Sequence, residues 1–211
     1  MKLPFSKEGI PYISICLVLT IIVGYFSKIG AIIPGLMFLF VLYFFRNPER
    51  KISKDSSLIL SPADGKVLSI QEIYDDNFIN GQAIKVSIFL SLFNVHVNRS
   101  PIKGVVKYKH YKDGKFFPAF KSHASELNER NTIGIENDKM KILVNQITGF
   151  VARRIVCWSN VGDNLEQGER FGLIKFGSCT EVIVPNNVEI AVEVGQKVKG
   201  GTTIIGRLIN E

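Results

Sequence analysis

VEVGQKVKGGTTIIGRL (Val192 to Leu208) and, far upstream, SPADGKV (Ser61 to Val67) are short apolar runs broken by glycine. Both read as strands entered through tight turns, because Gly and Asp-Gly supply turn geometry while Val and Ile favour an extended, packed surface. Working outward, the same alternation recurs. Strands are predicted at Val67 to Ile73, Ala83 to Leu92, Gly104 to Tyr111, Ile133 to Glu136, Lys141 to Ile147, Val151 to Cys157, Thr180 to Pro185 and Glu189 to Val194. Val, Ile and Phe fill them, and Gly, Asn, Asp and Pro separate them. Many short strands with few helical stretches predict a mainly β fold, a barrel or sandwich, rather than a doubly wound α/β sheet. Phe120 to Asn128 is expected to be a short helix or an ordered loop.

The first 45 residues differ in character. Ile10 to Phe26 and Ile29 to Phe45 are apolar runs separated only by Ser27 and Lys28. Each, as a helix at about 1.5 Å per residue, comes near the lower limit for crossing a hydrocarbon core of about 30 Å. A signal peptide fits poorly, since a second apolar run follows at once and no small-residue cleavage site is evident. The expectation is a membrane-anchoring helical hairpin over residues 1–45, a polar linker over 46–57 (RNPERKISKDSS) and a β-rich domain over 58–211. A shallow re-entrant hairpin is the alternative geometry. Lys2 and Lys7 precede the hairpin, and Arg46, Arg50, Lys51 and Lys54 follow it, so the positive-inside rule puts both ends and the domain on the cytoplasmic side of the cell membrane.

The chain of 211 residues carries a formal net charge of +7. A basic domain tethered to a bilayer is attracted to anionic headgroups. No basic stripe with interleaved aromatics supports a nucleic-acid partner. Cys16, Cys157 and Cys179 have neither metal-ligand spacing nor a disulfide framework, so no metal site is expected and a reducing compartment fits.

Three side chains carry the candidate chemistry. Gly177-Ser178 in FGSCTEVIVP is a candidate self-cleavage site, because a serine hydroxyl can attack the preceding carbonyl and glycine leaves that carbonyl unshielded. Elimination and hydrolysis would then leave a pyruvoyl group at the new N-terminus. His96, in VSIFLSLFNVHVNRSP (Val86 to Pro101), is the side chain suited to accept a proton near neutral pH. Asp64, in the Pro-Ala-Asp-Gly turn, completes an orienter, base and nucleophile set. Alone, each is ordinary turn or strand chemistry; their combination behind an apolar N-terminus points to an activity at a membrane.

SPADGKV and the C-terminal GQKVKGG stretch are similar to the turn-and-strand pattern of biotinyl and lipoyl carrier domains, which implies a flattened, barrel-sandwich unit built partly from these two segments. The Met-Lys-Met and Asp-Lys-Ala attachment tripeptides are absent, so a swinging-arm role is not expected. Together with FNVHVNRSPIKG, SELNERN, GFVARRIVCW and GERFGLIKFGSCTEVIVP, the chain resembles the phosphatidylserine decarboxylase proenzymes of the short, membrane-associated bacterial and archaeal type, through most of residues 58–206.

That resemblance implies cleavage between Gly177 and Ser178 into a β chain (1–177) and an α chain (178–211) that stay associated, the latter headed by a pyruvoyl cofactor derived from Ser178. It implies that His96 deprotonates Ser178 and that Asp64 orients His96. The ketone would take the amine of the phospholipid as a Schiff base, carbon dioxide would leave, and His96 would be the proton donor. Arg153, Arg154 and Lys175 are candidates for the lipid phosphodiester. Asn128, Glu129 and Arg130 match a family segment without an assigned role; His110 and His123 read as surface or structural. The chain departs from the longer members of the family at Phe93, where a second histidine is usual, and at Cys179, where Thr, Ser or Arg is commoner. Two alternatives stand beside this reading: the same chemistry on an ether-linked serine lipid, and a non-enzymatic, membrane-anchored adaptor of the lipoyl-like type. A higher oligomer is left open.

Overall fold

A computed structural model describes residues 4–115, 117, 127–149, 154–175 and 178–209. The chain divides into two compact units, Met1–Glu49 and Arg50–Glu211. Arg46–Glu49 of the expected linker therefore fall in the first unit and Arg50–Ser57 in the second.

The first unit is the helical hairpin that the apolar runs predict. α1 (Ile10–Phe26) and α2 (Ile32–Phe44) pack against each other. Proline sits in the first turn of α1, where no amide donor is lost. The hairpin is closed at its base, where the Ser6 amide bonds the Phe45 carbonyl and the Asn47 amide bonds the Pro4 carbonyl. Gly9 is required there, because a Cβ would lie 2.5 Å from the Phe45 ring. Ile15, Ile21, Ile33 and Leu36 all point outward, each more than half exposed. The stretch Lys7–Phe26 is long and apolar enough to cross a membrane, and Ile32–Phe44 is a shorter apolar helix. Such exposed apolar surface fits association with lipid.

The second unit is mainly β. Its backbone is an eight-stranded antiparallel sheet in the order β13 (Lys197–Val198), β2 (Gly65–Asp75), β3 (Gly81–Leu90), β11 (Ser178–Pro185), β7 (Lys141–Thr148), β6 (Arg130–Glu136), β5 (Gly104–Lys112) and β9 (Asn164–Leu165). Two three-stranded sheets complete it. One runs β1 (Leu58–Leu60), β14 (Ile204–Leu208), β12 (Val188–Ile190), and the other β4 (Val97–Arg99), β10 (Arg170–Lys175), β8 (Arg154–Cys157). The period-two rule sorts the long strands: Val86, Ile88, Ile133, Ile135, Ile142, Val144, Val182 and Val184 enter the main core. Ala83, Leu143 and Ile183 face the other way and are covered by Phe78.

The expected barrel-sandwich junction is present. Lys66 and Gly65 pair with Lys197 and Val198, the Gly195 amide bonds the Val67 carbonyl, and the Gly201 amide bonds the Ser61 carbonyl. Gly195 (φ +92°) and Gly201 (φ +75°) hold left-handed turns that a side chain would strain. The sequence reading missed several strands. β10 is one of them: RFGLIK carries a central glycine and lacks the alternation that marks β7. Of the predicted strand Val151 to Cys157, the described part is β8. Residues 120–126 of the predicted helix or loop lie outside the described residues.

Gly65, at the start of β2, has no room for a side chain, since a Cβ would run into the Phe89 carbonyl oxygen and the Ile88 Cγ2. Gly65→Ala is expected to lower stability by about 1–3 kcal/mol, measured by chemical denaturation against wild type.

Candidate active site

Ser178 opens β11, flanked by Leu90 on β3 and Thr148 on β7. It is fully buried, and its Oγ has no hydrogen-bond partner among the described residues. A buried hydroxyl left unsatisfied costs about 1–3 kcal/mol. Such an atom calls for a reason, and a nucleophile awaiting reaction supplies one. Gly177 and Arg153 lie outside the described residues, as does His123.

His96 is 2% exposed and is reached through a tight turn. The Asn94 side-chain oxygen accepts from the Ser91 amide and hydroxyl, and the Asn94 amide bonds the Ser91 carbonyl. This turn aims the Asn94 carbonyl at the ring, 3.0 Å from Nδ1. A carbonyl can only accept, so Nδ1 carries the proton and the lone pair of the neutral imidazole resides on Nε2. The ring is thus held in the tautomer a general base needs.

The strand register brings His96 toward Ser178. On β4 and β10, Arg99 pairs with Arg170, Asn98 with Gly172 and Val97 with Leu173, and the His96 carbonyl then accepts from the Ile174 amide. Going from Asn98 back to His96 therefore moves along β10 toward its end, where the chain passes to Ser178. One layer below, the Asn98 amide donates to the Thr180 hydroxyl at 3.0 Å.

Asp64 has other partners. Its two oxygens receive the Arg50 guanidinium as a fork, each at 2.8 Å, and Oδ1 also accepts from the Gly200 amide at 2.8 Å. The hydrogen bond expected from Asp64 to the His96 ring is not found among the described residues. The physical reason is local: Arg50 offers planar bidentate geometry and opposite charge. Arg50 also donates to the Gly200 carbonyl, which ties the SPADGKV turn to the GQKVKGG turn. The Arg99 amide bonds Pro62, so this turn still borders the strand that follows His96.

Cys179 points to the opposite face of β11, against Ile147 and Phe89. Burial, then the nearby Glu181 charge, push its thiol well up, so it stays protonated at neutral pH and is a poor nucleophile. Arg154 and Lys175 are directly opposed across β8 and β10, near the end of β10 that leads to Ser178. His110 is a cross-strand neighbour of Thr132, whose Oγ1 bonds Asn145.

The role of one residue escaped the sequence reading. Asn128 is buried and clamps the chain beside the site: it bonds the Phe117 amide and carbonyl and the Thr148 carbonyl, each at 2.8 Å. Thr148 is the cross-strand neighbour of Ser178. Glu129 accepts from the Tyr111 hydroxyl at 2.7 Å. The SELNERN motif marked the segment, but nothing in its residue types revealed these partners.

The family model for phosphatidylserine decarboxylase matches residues 37–206. This chain belongs to the phosphatidylserine decarboxylase family. It is 52% identical over 203 residues to a phosphatidylserine decarboxylase proenzyme of Carboxydothermus hydrogenoformans, covering 96% of this chain and 95% of that relative. It is 45% identical to one from Symbiobacterium thermophilum (96% and 95% covered) and 42% identical to one from Desulfotalea psychrophila (99% and 98% covered). The chain is therefore a decarboxylase, a carbon–carbon lyase acting on a phospholipid, and the adaptor alternative is set aside.

Two outcomes follow for the decarboxylase. Iodoacetamide at neutral pH is expected to leave Cys179 unmodified in the folded protein and to alkylate it once denatured, read by peptide mapping. Arg50→Ala, which leaves the Asp64 carboxylate without its cation, is expected to cost about 1.5–3 kcal/mol of stability, read as a shift in the denaturation midpoint.

Proposed function

We propose that this chain is the precursor of a pyruvoyl enzyme that converts phosphatidylserine to phosphatidylethanolamine after cutting itself between Gly177 and Ser178. The observation that carries the proposal is the buried Ser178 Oγ, which has no partner among the described residues and stands at the start of a central strand; His96, whose Nδ1 carries the proton, is the base the reading assigns to it.

In maturation, His96 Nε2 takes the Ser178 hydroxyl proton and Oγ attacks the Gly177 carbonyl carbon. The Gly177–Ser178 C–N bond breaks as the ester C–O bond forms, and the freed nitrogen takes the proton. Removal of the Ser178 α-proton then expels the Gly177 carboxylate and leaves dehydroalanine. Its imine tautomer takes up water and releases ammonia, leaving pyruvoyl. The site fits this group: position 178 is enclosed, and no side chain among the described residues competes for the reacting atom.

Once present, the pyruvoyl group supplies the electron sink for loss of the substrate carboxylate. The chain's own residues do the rest. His96 returns a proton to the substrate carbon. Leu90, buried and directly opposite Ser178, helps to exclude water, which favours dispersal of the carboxylate charge. Arg154 and Lys175 attract the lipid phosphodiester, and Arg153 remains a candidate by its place in the sequence alone. Asp64 supports the site by tethering its turn, while the Asn94 carbonyl takes the direct orienting role. The apolar hairpin keeps the enzyme at the lipid surface, and the flanking Lys and Arg residues put the β domain on the cytoplasmic side. The α and β chains stay together because β11 remains paired to β3 and β7 along its length.

Intact-mass spectrometry of the purified protein tests this. The expected result is two chains split after Gly177, the smaller one lighter by one ammonia than a serine-initiated peptide. Ser178→Ala should give one uncut, inactive chain, and His96→Ala should slow cutting by about 10²-fold or more. A wild-type chain that stays whole with active decarboxylation would overturn the pyruvoyl reading. Arg50→Gln and Asp64→Asn should slow processing by similar factors, since both break the same tether. A far larger loss in Asp64→Asn would restore Asp64 as the direct orienter.

A further inference from the structure

Sheet β4-β10-β8 carries the base, and the eight-stranded sheet carries the nucleophile. β4 and β11 share no backbone ladder, so side chains set the distance between them. A chain of buried amides does this. Asn131 Nδ2 donates to Gln146 Oε1 at 2.9 Å, Gln146 Nε2 donates to Asn98 Oδ1 at 2.9 Å, and Asn98 Nδ2 donates to Thr180 Oγ1 at 3.0 Å. All four residues are 0–2% exposed. The direction of the chain is pinned because Gln146 Nε2 also faces the Val156 carbonyl, which can only accept. Gly172 makes the crossing possible, since a Cβ there would lie 2.8 Å from Gln146 Nε2.

The placement is specific to the site. Asn98 lies two residues after His96 and Thr180 two residues after Ser178, so by strand alternation each shares a face with its reactive neighbour. Four buried polar side chains are a costly way to join two sheets when apolar residues of the same shape would serve. What the apolar version lacks is a fixed geometry, and a displacement of about 1 Å between reacting groups can cost roughly 10²-fold in rate.

We infer that Asn98 and Thr180 are positioning residues, which hold the His96 strand and the Ser178 strand at the separation that cleavage and turnover require. This rests on the proposed roles of His96 and Ser178 and extends them. Cutting after Gly177 severs the covalent path from β10 to β11. From then on the Asn98–Thr180 bond ties the head of the new α chain to the strand that bears the base.

The test follows the full-length protein through processing, by intact mass against time, with thermal unfolding measured in parallel. Thr180→Val keeps the shape and removes the hydroxyl. It is expected to slow processing by about 10–100-fold, and in the processed fraction to lower kcat while KM holds, because Thr180 does not meet the lipid. Thr180→Ser, which keeps the hydroxyl, should process as wild type. If Thr180→Val fails to fold, the double variant Asn98→Leu with Thr180→Val reports in its place, since it removes the orphaned Asn98 amide along with the bond while Gln146 Nε2 keeps the Val156 carbonyl as its acceptor. It is expected to fold and still to process slowly. A folded Thr180→Val, or a folded double variant, that processes and turns over at the wild-type rate overturns the positioning role and leaves the Ser178 reading intact. A wild-type chain that never cuts overturns both.

Discussion

The rest of the structure depends on the burial of β11 on both faces. Its ladder to β3 runs from Ser178–Leu90 to Pro185–Ala83, and its ladder to β7 from Ser178–Thr148 to Ile183–Leu143. A strand so enclosed must satisfy every backbone group through its neighbours, and its register is fixed because a one-residue slip would send Val182 and Val184 out of the core. The candidate reactive residue, Ser178, is the first of this strand. Its position is therefore as well determined as the core itself.

Such a strand would be expected to be wholly apolar, yet SCTEVIVP is polar on both sides. On one face Thr180 meets Asn98. On the other, Glu181 is held by the Ser87 hydroxyl, the Asn145 amide and, at 3.9 Å, the Lys85 ammonium. Buried polar groups are tolerated where every member is satisfied, because an orphan in a low-dielectric interior forfeits its water without replacement. Against that background the one hydroxyl on this strand without a partner among the described residues is Ser178. The contrast between satisfied neighbours and an unsatisfied serine sets Ser178 apart from structural polarity.

The Asp64–Arg50 fork shows how the same residue type can serve catalysis in one arrangement and architecture in another. Asp64 belongs to a motif that reads as part of a triad, and its turn does border the strand that follows His96. Its charge is nevertheless spent on Arg50 and the Gly200 amide, welding two turns into one junction. The His96 Nδ1 instead faces the Asn94 backbone carbonyl, which is fixed by its own turn and requires no charge. A carboxylate would stabilise an imidazolium more strongly; a carbonyl sets the tautomer with less bias toward the charged ring.

The sequence by itself determined the apolar hairpin, the mainly β domain and the two glycine turns that meet, and it singled out Ser178 and His96 as candidates. These depend on local period, turn chemistry and residue type, which survive in one dimension. It did not determine β4 and β10, whose few residues pair only because the layers above and below bring them together. Nor did it reveal the partners of Asp64, the Asn128 clamp or the amide chain from Asn131 to Thr180. Those bonds join residues far apart in the chain, with Thr180 bonded to a residue 82 positions away, and no spacing rule records a contact that exists only after two sheets have stacked. Tertiary structure decided them because a side-chain hydrogen bond needs its two atoms within about 3 Å, a condition set by packing rather than by composition.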